Sequence, residues 1–255
     1  MHFIDTHTHL FLPEFDEDRN QVVERAIQKG VVKLLLPNVD NQTINPLLQL
    51  CKKFPDYCFP MIGLHPTSVK ENFKNDLKKL DDLINQEKFV AIGETGIDLY
   101  WDKTFFDQQQ EAFIYQINLA KKHKIPIVIH ARDSFNEIFS IMHQYVDDSL
   151  TGVFHAFTGN LEQAKQIIEW GFMIGIGGIV TFKNSGLDKI VEFIDLNHIV
   201  LESDSPYLAP VPHRGKRNES SYIITVAEKI AQLKDCPLAE IAEKTTHNAS
   251  VLFKL

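Results

Sequence analysis

Phe3-Ile4-Asp5-Thr6-His7-Thr8-His9 reads as a short buried strand running into two histidines. Side chains on a strand alternate between faces, so His7 and His9, two residues apart, face the same side. The same pattern, a short apolar run closed by an ionisable residue, recurs along the chain. Val90 to Gly93 leads into Glu94, Ile127 to Ile129 into His130, Gly152 to Phe154 into His155, and Val200 to Ser203 into Asp204. Further apolar runs at Val31 to Leu36, Cys58 to Leu64 and Phe172 to Ile176 bring the strands to eight. Between them lie stretches with apolar residues spaced by three and four, such as Val22, Val23, Ala26 and Ile27, or Leu77, Leu80, Leu83 and Ile84. That spacing is one buried helix face. Pro126 closes one such helix and opens the next strand. From Ser220 onward the pattern predicts two more helices, one carrying Ile223, Val226 and Ile230 and one carrying Ile241 and Leu252.

Strands alternating with helices imply parallel pairing and right-handed crossovers. Eight such units suit an α/β fold of the (β/α)8 TIM-barrel kind better than an open doubly wound sheet. The dinucleotide-binding version of the open sheet has no support, because no GxGxxG follows the first strand. No linker, low-complexity stretch or tandem repeat divides the chain, so residues 1–255 are expected to form a single domain.

A barrel also explains the ionisable residues. His7, His9, Glu94, His130, His155 and Asp204 fall at the C-terminal ends of five different strands, and active sites of such barrels sit at that face. Only a closed barrel brings strands 1, 4, 5, 6 and 8 around one point. Neutral imidazoles and carboxylates without a thiolate suit Zn²⁺, Mn²⁺ or similar ions. Six ligands exceed what one tetrahedral ion needs. Two divalent metal ions bridged by Glu94, roughly 3.5–4 Å apart, would use them and could clamp an attacking and a leaving oxygen. Asp5, on the face of His7, and Glu202, two residues before Asp204, are either acceptors for the ligands or hydrogen-bonded interior carboxylates. His2, His123, His143, His198 and His247 sit on helices or at strand starts and are read as ordinary residues.

Composition narrows the function. The formal net charge of −8 excludes a fold-wide basic surface and strong non-specific grip on a duplex. Cys51, Cys58 and Cys236 are an odd set without a CxxC pair and are expected to be reduced thiols. No stretch approaches the ~18 apolar residues of a membrane span, and no basic n-region with a following apolar core is seen. A cytoplasmic protein without membrane attachment is expected.

The motifs Asp5-Thr6-His7-Thr8-His9, Gly63-Leu64-His65-Pro66, Gly93-Glu94-Thr95-Gly96-Ile97-Asp98, His130-Ala131-Arg132, His155-Ala156-Phe157-Thr158-Gly159 and Glu202-Ser203-Asp204-Ser205-Pro206-Tyr207-Leu208 resemble the TatD family of metal-dependent deoxyribonucleases. Pro212-His213-Arg214-Gly215-Lys216-Arg217-Asn218 looks like that family's basic loop after the last strand. The resemblance covers essentially the whole chain in the right order. It implies an amidohydrolase-like barrel, a monomer, Mg²⁺ as a further candidate ion, and DNA, single-stranded or at strand ends, as substrate. It marks the same six residues as metal positions. It further implies that Asp204 handles the proton of the attacking water and that His65 faces the substrate phosphate. Ser220, where the family usually has proline, and Thr95, where a branched aliphatic residue is commoner, depart from the pattern without touching a ligand.

Phosphate chemistry would also employ Arg132, two residues past His130, and the cluster Arg214, Lys216 and Arg217. Guanidinium groups suit bidentate phosphate contact, although charge runs are commonly just solvated faces. Tyr207 and Trp101 could stack bases or pack the rim. The competing enzyme class is an amidohydrolase or lactonase-type hydrolase of carbonyl or phosphotriester substrates. Relatives of that kind bridge their metals with a carbamylated lysine, and no lysine stands between the fifth apolar run and His130. A peptide hydrolase would leave the cationic loop unexplained. A metal-stabilised binding protein would be supported by a missing ligand, and none is missing.

Overall fold

A computed structural model describes residues 1–255. Eight strands alternate with helices. They are β1 Phe3–Asp5, β2 Val31–Pro37, β3 Cys58–Met61, β4 Ile92–Asp98, β5 Ile127–Arg132, β6 Gly152–Phe154, β7 Met173–Ile176 and β8 Ile199–Leu201. The intervening helices are α1 Arg19–Gln28, α2 Ile44–Lys53, α3 Phe73–Ile84, α4 Phe106–His123, α5 Phe135–Tyr145, α6 Leu161–Glu169 and α7 Leu187–Phe193. Two helices, α8 Ile223–Lys234 and α9 Leu238–Phe253, follow the last strand, as the apolar spacing from Ser220 onward predicts.

All pairing is parallel, in the orders β1-β2-β3 and β4-β5-β6-β7-β8. Two seams join these arcs into a ring. Ile62 bridges Ile92 in parallel on one side, and Thr8 bridges Ser205 on the other. At the second seam the Thr6 N–H donates to Leu201 O at 3.0 Å and the Asp204 N–H to His7 O at 2.9 Å. The eight-stranded α/β barrel is therefore closed.

Strand alternation divides the core in two. Ile4, Leu35, Met61, Ala91, Val128, Val153 and Val200 point inward and form one buried cluster, with Met173 packed against it. Their chain neighbours, such as Phe3, Leu34, Leu36, Ile127, Ile129, Ile199 and Leu201, point outward to the helices in a second, larger cluster. Ala249, Leu252 and Phe253 of α9 join the inner cluster and plug the barrel below it. Asn248 ties that helix down, its amide donating to Leu196 O at 2.7 Å and Ile199 O at 2.8 Å. The apolar plug fills the lower barrel, so the polar site is confined to the strands' C-terminal mouth.

One strand differs from its sequence reading. The apolar run places the fourth strand before Glu94, whereas β4 starts at Ile92 and continues to Asp98. Its register against β5 slips between Ile92 and Thr95, three residues facing two. Such a bulge shifts the alternation by one residue. Ala91 points inward below the slip, and Glu94, Gly96 and Asp98 point inward above it. Thr95 and Ile97 turn outward, where Thr95 Oγ1 accepts from Gln116 of α4 at 2.6 Å.

Candidate metal centre

The site is organised around the two oxygens of Glu94. Val128 and Val153 point inward, so His130 and His155, each two residues further on, do so as well. Both reach Glu94 Oε1, at 2.7 Å from His130 Nδ1 and 2.5 Å from His155 Nε2. His65 Nε2 approaches the same oxygen at 3.4 Å. On the other oxygen, Oε2, His7 Nε2 lies at 3.1 Å and His9 Nε2 at 3.6 Å. Asp204 Oδ1 completes this second group, 3.8 Å from His7 Nε2 and 3.6 Å from His9 Nε2. His7 and His155 stack face to face between the groups, with ring centroids 3.9 Å apart. All six residues read from the sequence as ligands thus converge, together with His65.

The far nitrogens of several imidazoles are committed, which fixes what the near ones offer. His9 Nδ1 donates to Pro37 O at 3.1 Å. His130 Nε2 donates to Asp98 Oδ2 at 2.9 Å. His9 Nε2 and His130 Nδ1 therefore present lone pairs to the centre. His65 is the reverse. Its Nδ1 accepts from the Thr67 N–H at 3.2 Å, so its Nε2 carries the proton and faces the cavity as a donor.

This arrangement sets acceptors against acceptors. His7 Nε2 and His9 Nε2 stand 3.2 Å apart, and His130 Nδ1 and His155 Nε2 3.3 Å apart, around carboxylate oxygens. Without cations, only protons relieve the crowding. Burial opposes the His155 imidazolium, but Glu94 outweighs it and lifts the pKa to about 9. Burial and the neighbouring His155 charge push His7 down to about 4. Burial works against the Glu94 carboxylate, yet His155, His65 and His7 hold it well below the usual range. The donors fit divalent cations. His7, His9 and Glu94 bring ligand atoms within 4.8 Å of one another, as do His7, His155 and Asp204. His65 lies equally close to Glu94 and His130, but its protonated Nε2 offers a hydrogen bond and no lone pair. The nitrogen and oxygen set, free of thiolate, suits Zn²⁺, Mn²⁺ or Mg²⁺.

Of the two readings open for the interior carboxylates, the hydrogen bonds made by Asp5 and Glu202 fit the second, that of hydrogen-bonded interior groups. Asp5 accepts no imidazole proton. It binds the His7 N–H at 3.3 Å, the Ser203 N–H at 2.8 Å and the Ser203 hydroxyl at 2.6 Å, lacing the first strand to the last. Glu202 turns away from Asp204 and stands behind His155. Its Oε1 accepts from the Ala156 N–H at 2.5 Å and lies 3.8 Å from His155 Nδ1. Sequence reading missed Asp98 as the partner of His130. Its spacing from Glu94, four residues on one strand face, was the available signal.

A cavity of about 630 Å³ opens over the centre, lined among others by His65, Trp101, Arg132, Asp204 and Tyr207. Arg214, Lys216 and Arg217 lie outside it. Arg214 packs over the Phe182 ring at 4.4 Å, whereas Arg217 is engaged with Asp18 Oδ2 and Glu14 O, both at 2.7 Å. His123, His143 and His247 lie on helices, and His2 and His198 just before strands, away from the centre. The three cysteines are free thiols, and no helix is long and apolar enough to cross a membrane.

The sequence model of the TatD-related DNases matches residues 4–254. The chain is 39% identical over 252 residues to the uncharacterised metal-dependent hydrolase YabD of Bacillus subtilis, covering 98% of each. It is 29% identical over 257 residues to the 3'-5' ssDNA/RNA exonuclease TatD of Pectobacterium carotovorum, covering 98% of this chain and 99% of that one. The crystal structure of YjjV, a TatD homologue from Escherichia coli, matches the barrel with a TM-score of 0.93 at 28% identity, over 99% of this chain and 98% of that one. The likeness runs from the first strand to the last helix, and the chain belongs to the TatD-related DNase family of metal-dependent hydrolases.

Proposed function

We propose that this chain is a nuclease that hydrolyses phosphodiester bonds, trimming single-stranded DNA from an end, with residues 1–255 acting as one catalytic domain. The observation that carries the reading is the division of ligands between the two oxygens of Glu94. One carboxylate facing two histidine groups would suit a pair of divalent ions, Mg²⁺, Mn²⁺ or Zn²⁺. Their ligands would be His7, His9, Glu94, His130, His155 and Asp204. Such ions, when bound, make water a stronger acid and offset charge on the oxygens of an in-line displacement.

The chain's own groups have distinct tasks. Burial works against the Asp204 carboxylate, but His9 and His7 hold its pKa below the usual range, so it is ionised at neutral pH. It lines the cavity and can take the proton of the attacking water. His65 Nε2–H and the Arg132 guanidinium are donors facing the same space, suited to phosphoryl oxygens. Arg214 and Lys216, outside the cavity, would meet the strand further from the cut bond. Arg217 would have to leave Asp18 to join them, so its share is the smallest. The net charge of −8 favours engagement of strand ends over tracking of a duplex groove. The exonuclease activity named for the Pectobacterium relative supports the same reading.

The test is a 5'-labelled single-stranded DNA oligonucleotide with metal-stripped protein reloaded with Mg²⁺, Mn²⁺ or Zn²⁺. We expect metal-dependent shortening from the 3' end, and a loss on the order of 10²–10⁴-fold in rate for Asp204→Ala with ion binding monitored in parallel. Absence of cleavage with every metal, together with turnover of a lactone, amide or phosphotriester, would move the assignment to carbonyl or phosphotriester hydrolysis.

A further inference from the structure

Asp98 is buried at the end of β4, and its two oxygens serve different masters. Oδ2 accepts from His130 Nε2 at 2.9 Å. Oδ1 accepts from the backbone N–H groups of Tyr100 and Trp101, both at 3.0 Å, and so shapes the turn that leaves the strand. Gln109 of α4 clamps the residue itself, its Oε1 accepting from the Asp98 N–H at 2.9 Å and its amide donating back to Asp98 O at 3.3 Å. One rigid carboxylate thus connects a candidate ligand to the cavity rim.

That turn displays two aromatic rings to solvent. Tyr100 is 54% exposed and Trp101 68%, values that leave most of each ring uncovered. They meet edge to face with centroids 4.9 Å apart. The Arg132 guanidinium lies over Tyr100 at 4.1 Å and near Trp101 at 5.4 Å. Trp101 and Arg132 both line the cavity. An open indole face beside a guanidinium stacked on the neighbouring ring is the chemistry that holds an unpaired base and its phosphate.

We propose that Trp101, braced by Tyr100 and Arg132, seats an unpaired nucleobase, and that Asp98 is the positioning residue that fixes this seat relative to His130. The seat rests on the nuclease reading; the link from Asp98 to His130 does not. Asparagine at this position separates the two connections. Asp98→Asn keeps an oxygen for the turn but presents an amide N–H to His130 Nε2. That nitrogen must then accept, and the imidazole proton moves to Nδ1, the nitrogen that faces Glu94. Asp98→Ala breaks both connections.

The experiment uses Trp170→Phe as parent, leaving Trp101 as the single tryptophan of the two in the chain. Mn²⁺ affinity is measured by calorimetry on metal-stripped protein. Binding of a cleavage-resistant phosphorothioate dT oligonucleotide is read by Trp101 quenching and by anisotropy of a labelled copy, at saturating Mn²⁺. We expect Asp98→Asn to lower Mn²⁺ affinity about 10–100-fold while Trp101 emission and dT affinity stay at parental values. Asp98→Ala should disturb both. Trp101→Ala should lower dT affinity about 10-fold with Mn²⁺ affinity unchanged. Parental Mn²⁺ affinity in both Asp98 variants, or parental Trp101 emission in Asp98→Ala, would overturn the positioning role. If the parent cleaves unmodified dT oligonucleotide and binds the phosphorothioate, and Trp101→Ala binds the phosphorothioate equally well, the seat is wrong while the nuclease reading stands. A parent that neither binds the phosphorothioate nor cleaves unmodified dT removes the seat and that reading together, and the Mn²⁺ comparison then decides the Asp98–His130 link alone.

Discussion

Glu202 is fully buried behind His155, with Oε2 lacking any hydrogen-bond partner. Burial, aided by the Asp204 charge and opposed by His155, pushes its carboxyl up to about 8. The folded protein therefore holds a proton that the unfolded chain has released between about pH 4.5 and 8, and stability falls as pH rises across that window. Other groups interfere below pH 6.5, where His7, pushed down to about 4, makes stability rise with pH. Above pH 6.5 Glu202 and His155, at about 8 and 9, retain protons that the unfolded chain lacks. So does His130, where burial is outweighed by Asp98 and Glu94 and the pKa is raised; the two histidines titrate alike in wild type and in a Glu202 variant. In metal-free protein, Glu202→Gln should remove the first contribution while leaving the Ala156 N–H an acceptor. The expected difference in pH dependence between pH 6.5 and 8 is on the order of 1–2 kcal/mol, or a few degrees in Tm. Thermal melts in EDTA at several pH values check this, and parallel curves for both proteins would show that Glu202 titrates normally. At this scale the sequence was informative about ligands and poor about their supports. His130 and Asp204 stand out because charged residues closing apolar runs have few structural uses. Thr67 does not, because a hydrogen bond to an imidazole leaves no mark on composition. Asp98 shows only through its spacing of four from Glu94, which means something only once the strand is known to continue past Gly93.

β4 explains why one element was misplaced. Beyond Gly93 the run Glu94-Thr95-Gly96-Ile97-Asp98 has no apolar inner face, since those inward positions belong to the site. Strand patterning reads burial against a core, and it fails where the strand faces a polar cavity. The bulge between Ile92 and Thr95 cannot be read from one sequence either, yet it turns Glu94 inward. Gly96 marks the place. Its φ is +140°, and a Cβ there would lie 2.1 Å from His130 O. Neither β4 nor β5 can yield, because both backbones are paired around that point. Gly96→Ala should therefore destabilise the fold by on the order of 3 kcal/mol or more, through a strained φ and forced separation of the two strands. Because the same separation sets the distance from Glu94 to His130, folded variant should also bind Mn²⁺ more weakly at low temperature. Urea unfolding of metal-free protein and calorimetry check the two effects. A wild-type midpoint would mean that the strands accommodate a methyl group at this crossing.

The barrel was legible as a whole because eight apolar runs, alternating with helical stripes, need no knowledge of side-chain contacts, whereas the way the ring closes was not. The seams are short and irregular: Val90, Ile62 and Gly93 N–H donate to Pro60, Ala91 and Ile62 O at one, and Thr6, Asp204 and His9 N–H to Leu201, His7 and Ser205 O at the other. The candidate ligands cross both arcs: His7 and His9 follow β1 in one, and Glu94, His130, His155 and Asp204 lie on or beyond strands of the other. Cations held by both groups would fasten the arcs together and relieve the acceptor crowding that the metal-free cluster retains. Ions that bind only the folded form stabilise it by about 4 kcal/mol at a thousandfold excess over Kd. For a chain of this size that corresponds to on the order of 10 °C in Tm. EDTA treatment should lower Tm by that order, and Mn²⁺ should restore it. His7→Ala, which removes a donor from the β1 side, should lose most of the difference between the loaded and stripped states. His143→Ala, on the outer face of α5, should keep it in full. If both variants and the wild type shift equally, the stabilising ion sits elsewhere and the cluster around Glu94 is not where the barrel is fastened.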